Sequence, residues 1–502
     1  KPIESETDLP GKSTQPPVTT DSGSQEQETP KRTDIVFGFN TEPDSLVPTT
    51  TASLSTICII QNMFDGLVRL NSETKVVEPL LAETWEISDD GLTYTFQIKQ
   101  NVLFHNGDVL TTDDVVGSLK LAKESAVTQD VLAPVESIEK GENNTVVLKC
   151  SSAPNNMFLY NLAQAGKFGI LDMKLYDEVG LSGYQENPVG TGPYTYVSWE
   201  KGVSVKMIAF EDYHMGAAPI KDITFRIIVD PATTTMALES GEIDISGNIA
   251  LTELDSVDMS HLSLYQGSGD SITYLFLNTQ NQYLQDVRVR QAISMLVNKQ
   301  DILAVIAGNL GIVADSLYRD GTDGYDASVG DLGYDPEKAK ALLAEAGCAD
   351  GFEINYKTNE GDGASIGQIL QDSLKDANIT VNIEVMETNA YIQDCFAGNF
   401  DIGFMIYNPG HLKPLLAAKL LASDSAINFG KFVNQDLDAY LTSAMYDRDE
   451  AYVRGVVPKI QEIIRDQVPV IPLFWQDVVV LVNADLKGLT NVSMNYPYYL
   501  SW

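Results

Sequence analysis

The chain has 502 residues, and its 70 acidic and 33 basic side chains give a formal net charge of −37 at pH 7. This charge argues against nucleic acid as a partner, because phosphates are bound through clustered Lys and Arg, and it equally disfavours an anionic membrane surface. With 44% hydrophobic residues, the chain is long enough for two or three domains with a large core. No apolar run reaches the roughly 18 residues of a transmembrane helix.

The first 32 residues differ in composition from everything that follows. Residues 1–32 are rich in Pro, Ser, Thr, Glu and Gln and contain few apolar side chains. Such a segment cannot bury a core, so it is predicted to be a disordered tether. Folded structure is expected from Asp34, where the apolar run DIVFGF begins.

The clearest local pattern lies in residues 79–114. Apolar and polar side chains alternate over residues 92–98, which is the period of a half-buried strand. The turn residues 89–91 precede that strand and follow another short apolar run, so a hairpin is predicted. Residues 111–114, TTDD, offer a capping oxygen and first-turn acids for a helix.

The middle of the chain alternates turns, strands and one amphipathic helix. The glycines of residues 187–202 lack the Gly-Lys-Ser/Thr ending of a phosphate-binding loop, so they predict a turn before a strand. Residues 220–230 and 274–278 are predicted strands, the second one short. Residues 286–303 place apolar side chains at helical spacing and predict a helix.

The last third alternates strands and helices, which favours an α/β lobe. Residues 334–347 predict a helix with both ends marked, because Asp335 can cap it, Pro336 suits its first turn and Gly347 can end it. The other predicted elements are strands at 352–356, 381–385 and 400–406, and helices at 365–376, 390–397 and 453–465.

No motif of catalysis or metal binding is present. The four histidines, at positions 105, 214, 261 and 411, show no HxxxH or HExxH spacing, and no GxSxG elbow occurs. The four cysteines are widely spaced and are expected to be free thiols. We therefore expect that the protein is not an enzyme and that it has no catalytic residue, no metal site and no cofactor.

Residues 79–114 resemble the peptide/nickel-type (family 5) solute-binding proteins of ABC transporters, whose pattern is PxLAxSWxxSxDGxTYTFxLRxxVxFHxG followed by an acidic helix start. Thr84 stands where Ser is frequent in that pattern. Further segments resemble the family's motifs in the expected order, from about residue 34 to 490: 41–48 (TEPDSLVP), 63–68 (MFDGLV), 187–202 (NPVGTGPYTYVSWEKG), 233–244 (TTTMALESGEID), 286–303 and 468–482.

The resemblance implies an α/β, two-lobed periplasmic-binding-protein-like fold (class II, cluster C type) with an extra inserted subdomain. The expected first lobe combines residues 33–65, 185–275 and 475–502. Residues 66–184 form the expected inserted subdomain, and residues 276–474 form the second lobe. A ligand would be enclosed as the lobes close about a hinge.

The resemblance also implies an extracytoplasmic substrate-binding protein that delivers a peptide or peptide-like solute to the permease and ATPase of an ABC importer. It is expected to be a monomer, either periplasmic or held at the cell surface by a lipidated Cys upstream of the tether. Two alternatives stay open: a binder of nickel, another metal chelate or another small solute, and a surface signalling or chaperone-like module that reuses the fold.

The ligand question centres on the loop after the predicted strand at 400–406. Peptide binders of the family place an aspartate there for the α-ammonium of the peptide, and an ungapped alignment on Asp401 and Pro414 puts Gly410 at that position. Since an unpaired buried ammonium is costly, either another acid replaces it or the ligand is not a simple peptide with a free amino end. The metal-chelate alternative is weakened, because no arginine occurs between Arg69 and Arg226.

Seven residues are candidates for ligand contact. Ser53 and Leu54 come from the first lobe, and Tyr407, Asn408 and His411 from the second. Tyr274 and Trp475 are expected near the hinge crossings, where a large ring with a polar tip suits a binding cleft. The alternative for Tyr274 and Trp475 is packing in the core or hinge, and His411 is more simply a hydrogen-bonded loop residue than a metal ligand.

Overall fold

The computed structural model of the protein describes residues 32–51, 53–71, 76–249, 251–322, 324–408, 414–447, 449–490 and 496–502. The predicted tether (apart from residue 32), Gly410 and the candidate ligand residue His411 therefore lie outside the described residues. In the described part of the chain, no helix is both long and apolar enough to cross a membrane.

Strands and helices alternate along the described chain. The strands are β1 (Asp34–Phe39), β2 (Val68–Leu70), β3 (Val77–Pro79), β4 (Ala82–Ile87), β5 (Thr93–Ile98), β6 (Val135–Lys140), β7 (Thr145–Cys150), β8 (Tyr194–Glu200), β9 (Ser204–Ala209), β10 (Asp222–Ile227), β11 (Ile245–Ser246), β12 (Leu262–Leu277), β13 (Gly311–Val313), β14 (Phe352–Asn359), β15 (Ile379–Met386), β16 (Ile402–Tyr407) and β17 (Val470–Asn483). The helices are α1 (Leu54–Ile60), α2 (Thr112–Glu124), α3 (Gln129–Leu132), α4 (Phe158–Leu162), α5 (Ala165–Phe168), α6 (Met173–Glu186), α7 (Pro231–Glu239), α8 (Val287–Leu296), α9 (Lys299–Ala307), α10 (Pro336–Glu345), α11 (Asp362–Lys375), α12 (Thr388–Ala397), α13 (Gln435–Tyr446) and α14 (Glu450–Gln467).

One mixed sheet of eleven strands runs through the described residues in the order β15-β14-β16-β12-β17-β11-β1-β10-β9-β8, with β13 beside β17. Its first half consists of β1 and β8–β11, in which β1 lies parallel to both β10 and β11. Its second half consists of β14–β16, in which β14 lies parallel to both β15 and β16. Parallel strands need crossover connections, and helices such as α7 and α11 supply them.

The long antiparallel strands β12 and β17 join the two halves. The start of β12 pairs with the end of β17 beside β11, and the end of β12 pairs with β16. A register shift between Gly267 and Ser271 marks the point where β12 passes from one half to the other. The predicted strand at 274–278 was therefore too short. The first ten residues of β12, LSLYQGSGDS, lack a continuous apolar pattern. Their strand structure depends on pairing with β17.

The helix predicted at 286–303 is divided into α8 and α9, because the backbone leaves the helical conformation at Val297 and Asn298 caps a new helix. Other predicted elements are confirmed, with shifted ends. The helix predicted at 334–347 is α10, whose capping Asp335 accepts a 3.0 Å hydrogen bond from the Lys338 backbone N–H. The strand and helix alternation from residue 352 onward is present as β14 to β16 with α11 and α12. Helix α11 shares a core with β14, which contains Ile354, Ile366 and Leu370.

Residues 68–150 add two smaller sheets, β2-β3 and β4-β5-β7-β6. The predicted hairpin is β4-β5, and the predicted helix start is at α2, where the Asp114 carboxylate accepts a 2.8 Å bond from the Thr111 backbone N–H. The buried faces of β5 and β7 belong to the same core as β1 and β10. This part of the chain is thereby fixed to the first half of the large sheet.

The four cysteines are free, as expected from their spacing, with Cys150 and Cys395 buried. His105 has a structural role. Its Nε2 lies 2.9 Å from the Gly192 carbonyl oxygen, and its Nδ1 accepts a 3.3 Å bond from the Gly190 backbone N–H. Burial lowers the pKa of His105 to about 4.

Candidate functional site

Three of the candidate ligand residues lie on one face of the large sheet. Ile272 on β12 pairs with Trp475 on β17 at one side and with Tyr407 on β16 at the other. Directly paired residues of neighbouring strands point to the same face, and so does the residue two positions further along a strand. Tyr407, Ile272, Trp475 and Tyr274 therefore share a face, which we call the crossing face.

The rings of the crossing face differ in exposure. Tyr274 is 2% exposed and Trp475 is 5% exposed, so both pack as core residues in this conformation. Tyr407 is half-buried at the margin of the same core. Burial raises the pKa of Tyr407 to about 12. Its hydroxyl group is thus neutral at physiological pH and able to donate as well as accept a hydrogen bond.

Helix α4 and the residue before it pack in the same core as the crossing face. Met157, which precedes the helix, and Tyr160 within it share a core with Ile272, Tyr274 and Trp475. Phe158 and Leu162 of the same short helix instead belong to the core of the first half. The helix thus lies between the two cores, and its two sides bind the two halves together.

Asp270 is a charged residue at the margin of this arrangement. Burial raises the pKa of the Tyr160 phenol to about 12, and the negative charge of Asp270 adds to that increase. The Asp270 side chain is therefore close to Tyr160. Asp270 itself is exposed and lies in the irregular stretch between Gly267 and Ser271.

A second contact between the halves lies next to α4. The backbone N–H of Asn156 donates to the Met445 carbonyl over 2.7 Å. The Asn156 side-chain amide donates to the Ala444 carbonyl over 3.2 Å and to the Asp447 carbonyl over 2.7 Å. These acceptors lie at the carboxyl-terminal end of α13, where helix carbonyls lack partners within the helix.

The crossing strands are held by a polar cluster at the irregular stretch of β12. Asp477 on β17 accepts a 2.7 Å hydrogen bond from the Gln266 side chain and lies 3.5 Å from the Arg319 guanidinium group. Arg319 also donates to the Gly269 carbonyl. A β-carbon at Gly269 would lie 2.1 Å from the Gln476 carbonyl oxygen, so this close approach requires glycine.

The remaining candidates are placed less closely together. The Asn408 side-chain amide donates a 3.1 Å hydrogen bond to the Ser271 hydroxyl group, which brings Asn408 to the crossing. Ser53 caps α1, with its hydroxyl group accepting from the Thr56 backbone N–H over 3.4 Å. Leu54 is the first residue of that helix. The hydrogen bonds described for Ser53 all stay within residues 51–57, so they do not join it to the crossing face.

Sequence reasoning missed Asn156, Met157, Tyr160 and Asp270. None of them belongs to a local pattern, because their partners are more than 100 residues away along the chain. Among the described residues, no group of three or more His, Cys, Asp or Glu side chains could hold a metal ion. Tyr407, half-buried at the margin of this core, presents an aromatic ring and a neutral hydroxyl group, a combination that suits contact with a solute.

Comparison with known proteins identifies relatives of the whole folded part. The family model of bacterial extracellular solute-binding proteins, family 5 (middle), matches residues 76–429. Di/tripeptide-binding protein 2 of Pseudomonas aeruginosa is 28% identical over 450 residues, covering 82% of this chain and 83% of that protein. Heme-binding protein A of Haemophilus influenzae is 26% identical over 474 residues, covering 87% and 86%.

A solved structure shows the same architecture. The periplasmic binding protein DppA from Helicobacter pylori, in complex with the peptide STSA, matches with a TM-score of 0.76 and 25% identity, covering 94% of this chain and 98% of that chain. The predicted α/β, two-lobed periplasmic-binding-protein-like fold is confirmed. We call the half with β1 and β8–β11 the first lobe and the half with β14–β16 the second lobe.

Proposed function

The chain belongs to the family 5 bacterial extracellular solute-binding proteins, and from this premise we propose that it binds a peptide or peptide-like solute between its two lobes and delivers it to the permease of an ABC importer. The family consists of binding proteins that act outside the cytoplasm. We infer that this chain, too, releases its ligand unchanged and has no catalytic turnover.

The crossing face is the observation that carries the proposal. Tyr407 and Trp475 flank Ile272 at the point where the strands pass between the lobes, and Tyr160 shares a core with Ile272 and Trp475. Aromatic rings provide apolar contact for peptide side chains, while neutral phenol hydroxyls pair with peptide N–H and C=O groups. Relatives named as di/tripeptide-binding and a related complex with the peptide STSA support a peptide over other solutes.

We propose ligand roles for all seven candidates: Ser53, Leu54, Tyr274, Tyr407, Asn408, His411 and Trp475. Tyr407 and Asn408 have the strongest support, because they lie beside the crossing and are not fully buried. Tyr274 and Trp475 would contact the ligand through a part of the ring that opens as the lobes separate. The family resemblance alone supports the proposed ligand roles of Ser53, Leu54 and His411.

The experiment that tests the function is a ligand screen in two stages. Native mass spectrometry of protein purified from its own host identifies what copurifies, and calorimetric titration then compares dipeptides, tripeptides, a nickel–histidine chelate and haem. We expect peptides to bind. Binding of haem or of the chelate without any peptide would overturn the peptide assignment, and the absence of any ligand would favour a signalling or chaperone-like module.

The partners and location follow from the same proposal. We propose a monomer that meets an ABC permease and ATPase, with residues 1–32 serving as a tether to an upstream lipidated cysteine. Mass spectrometry of the natural protein extracted from membranes with detergent tests the lipid. Recovery of unlipidated protein in the soluble fraction would overturn the anchor while leaving solute binding intact.

A further inference from the structure

We propose that Asn156 is a clamp that holds the lobes closed over the bound solute and thereby sets the rate of solute release. The inference rests on the proposed function, since a clamp on closure has meaning only for lobes that open and close. It goes beyond that function by assigning the release step to a residue that lies outside the crossing face.

The contacts of Asn156 join two parts of the molecule that are far apart in the sequence. Asn156 lies between β7 and α4, in the part of the chain that shares a core with the first lobe. Its three acceptors are the carbonyls of Ala444, Met445 and Asp447, at distances of 3.2, 2.7 and 2.7 Å. Helix α13 belongs to the second lobe, where Leu437 and Leu441 are buried with residues of α14.

The hydrogen-bond donors of Asn156 suit the partial negative charge at the carboxyl-terminal end of α13. The last carbonyls of a helix lack internal partners and carry the partial negative charge of the helix dipole. A backbone N–H and both hydrogens of an amide group provide three neutral donors to that end. When the lobes separate, water must replace all three, so the closed form is favoured by the difference between protein and water hydrogen bonds.

Apolar contact next to the clamp opens and closes with it. Met157 follows Asn156 directly and Tyr160 lies four residues after Asn156. Both share a buried core with residues of the second lobe, including Tyr391 and Phe400. Phe158 and Leu162 anchor the same segment in the first lobe. Opening the lobes about β12 and β17 therefore breaks the Asn156 hydrogen bonds and exposes Met157 and Tyr160 in one step.

The test compares Asn156→Ala and Asn156→Asp with Asn248→Ala. Asn248 is a matched control, because its side-chain amide also donates to two backbone carbonyls, Ile228 at 3.0 Å and Val229 at 3.2 Å, but entirely within the first lobe. We expect Asn156→Ala to release bound tripeptide about tenfold faster, which corresponds to about 1.4 kcal/mol. Asn156→Asp should release it at least as fast, since a carboxylate cannot donate and repels the helix end.

The experiment measures the rate of solute release and, separately, the closure of the lobes without ligand. Release is followed by stopped-flow after loading the protein with a mixture of tripeptides, and closure without ligand is followed by the radius of gyration in small-angle X-ray scattering. Faster release from the Asn156 variants, with Asn248→Ala unchanged in release rate and radius, supports the clamp. Equal release rates for wild type and Asn156→Ala overturn it.

Failure of the proposed function is distinguishable from failure of the clamp. If the wild-type protein binds none of the peptides in the ligand screen, peptide binding is refuted, and the scattering comparison alone then tests the clamp: equal radii overturn it. Thermal unfolding provides the structural control, because Asn248→Ala should lower the melting temperature without changing the release rate.

Discussion

The His214 imidazole Nε2 lies 2.8 Å from the Asp65 carboxylate, with 7% of the His214 side chain and 2% of the Asp65 side chain exposed. Tyr213 donates to the other Asp65 oxygen over 3.3 Å. Asp65 directly precedes residue 66, where the predicted inserted subdomain begins, and Thr191, near its predicted end, lies 3.5 Å from the same carboxylate. The pair therefore joins the predicted start of the inserted subdomain to the chain just after its predicted end, a junction that we call the neck.

The neck is expected to depend on this pair for stability. Asp65→Ala removes the acceptor of Tyr213 and His214 and leaves buried donors without a partner, so the free energy of unfolding should fall by about 3 kcal/mol. Chemical denaturation of the purified variant measures the change. Asp113→Ala is the control, because the Asp113 side chain is 72% exposed and its pair with Lys140 contributes little. Equal stability of both variants would contradict the role of the neck.

Stability should fall as the pH falls from about 6.5 to about 4, in part through His105. The pKa of this imidazole is about 4 in the folded protein against an ordinary value of 6.5, because burial disfavours the charged form and Nδ1 already accepts from the Gly190 N–H. The unfolded chain binds the proton first, so protonation favours unfolding in this window, and above pH 6.5 the full stability is present.

The contribution of His105 is separated from that of the many carboxylates by substitution. The shift corresponds to about 3 kcal/mol between pH 7 and pH 4. His105→Gln should lower stability at pH 7 but show a shallower decline toward pH 4, when unfolding is measured in urea at each pH. Parallel pH profiles for the variant and the wild type would contradict the low pKa of His105.

The close approach of β12 and β17 should make Gly269 intolerant of substitution. A β-carbon there would lie 2.1 Å from the Gln476 carbonyl oxygen, so Gly269→Ala must displace the backbone of the crossing and should lower the melting temperature by several degrees. Gly247→Ala is the matched control, because its nearest neighbour, the Val479 carbonyl oxygen, is 3.4 Å away. Differential scanning calorimetry compares the two, and an equal effect of both would refute a special crossing at Gly269.

Tyr407 should affect ligand affinity more than stability. The hydroxyl group is neutral and the residue is half-buried beside the crossing face. In the ligand-binding role proposed above, Tyr407→Phe removes one hydrogen bond and keeps the ring. We expect about a tenfold loss of peptide affinity by calorimetric titration, with little change in melting temperature. Tyr446→Phe controls for the substitution, because Tyr446 is 54% exposed on α13. Unchanged affinity in Tyr407→Phe would remove this residue from the site.

Local patterns in the sequence were sufficient to predict an element wherever its structure depends on residues nearby in the chain. The alternation over residues 92–98 predicted β5, and Asp335 with Pro336 predicted the start of α10, because period and capping act within a few residues. The same reasoning underestimated β12. Its polar first part is a strand through pairing with β17, which follows some 200 residues later.

The sequence by itself determined the family, the α/β architecture and the presence of aromatic residues near the strand crossings. Only the tertiary structure decided that Tyr407 and Trp475 flank Ile272 and that α4 packs in the same core as the crossing face. It also decided that Asn156 caps the end of α13. The physical reason is that helix and strand periods are set by adjacent residues, whereas register between strands and contacts between lobes depend on partners that the local sequence does not specify.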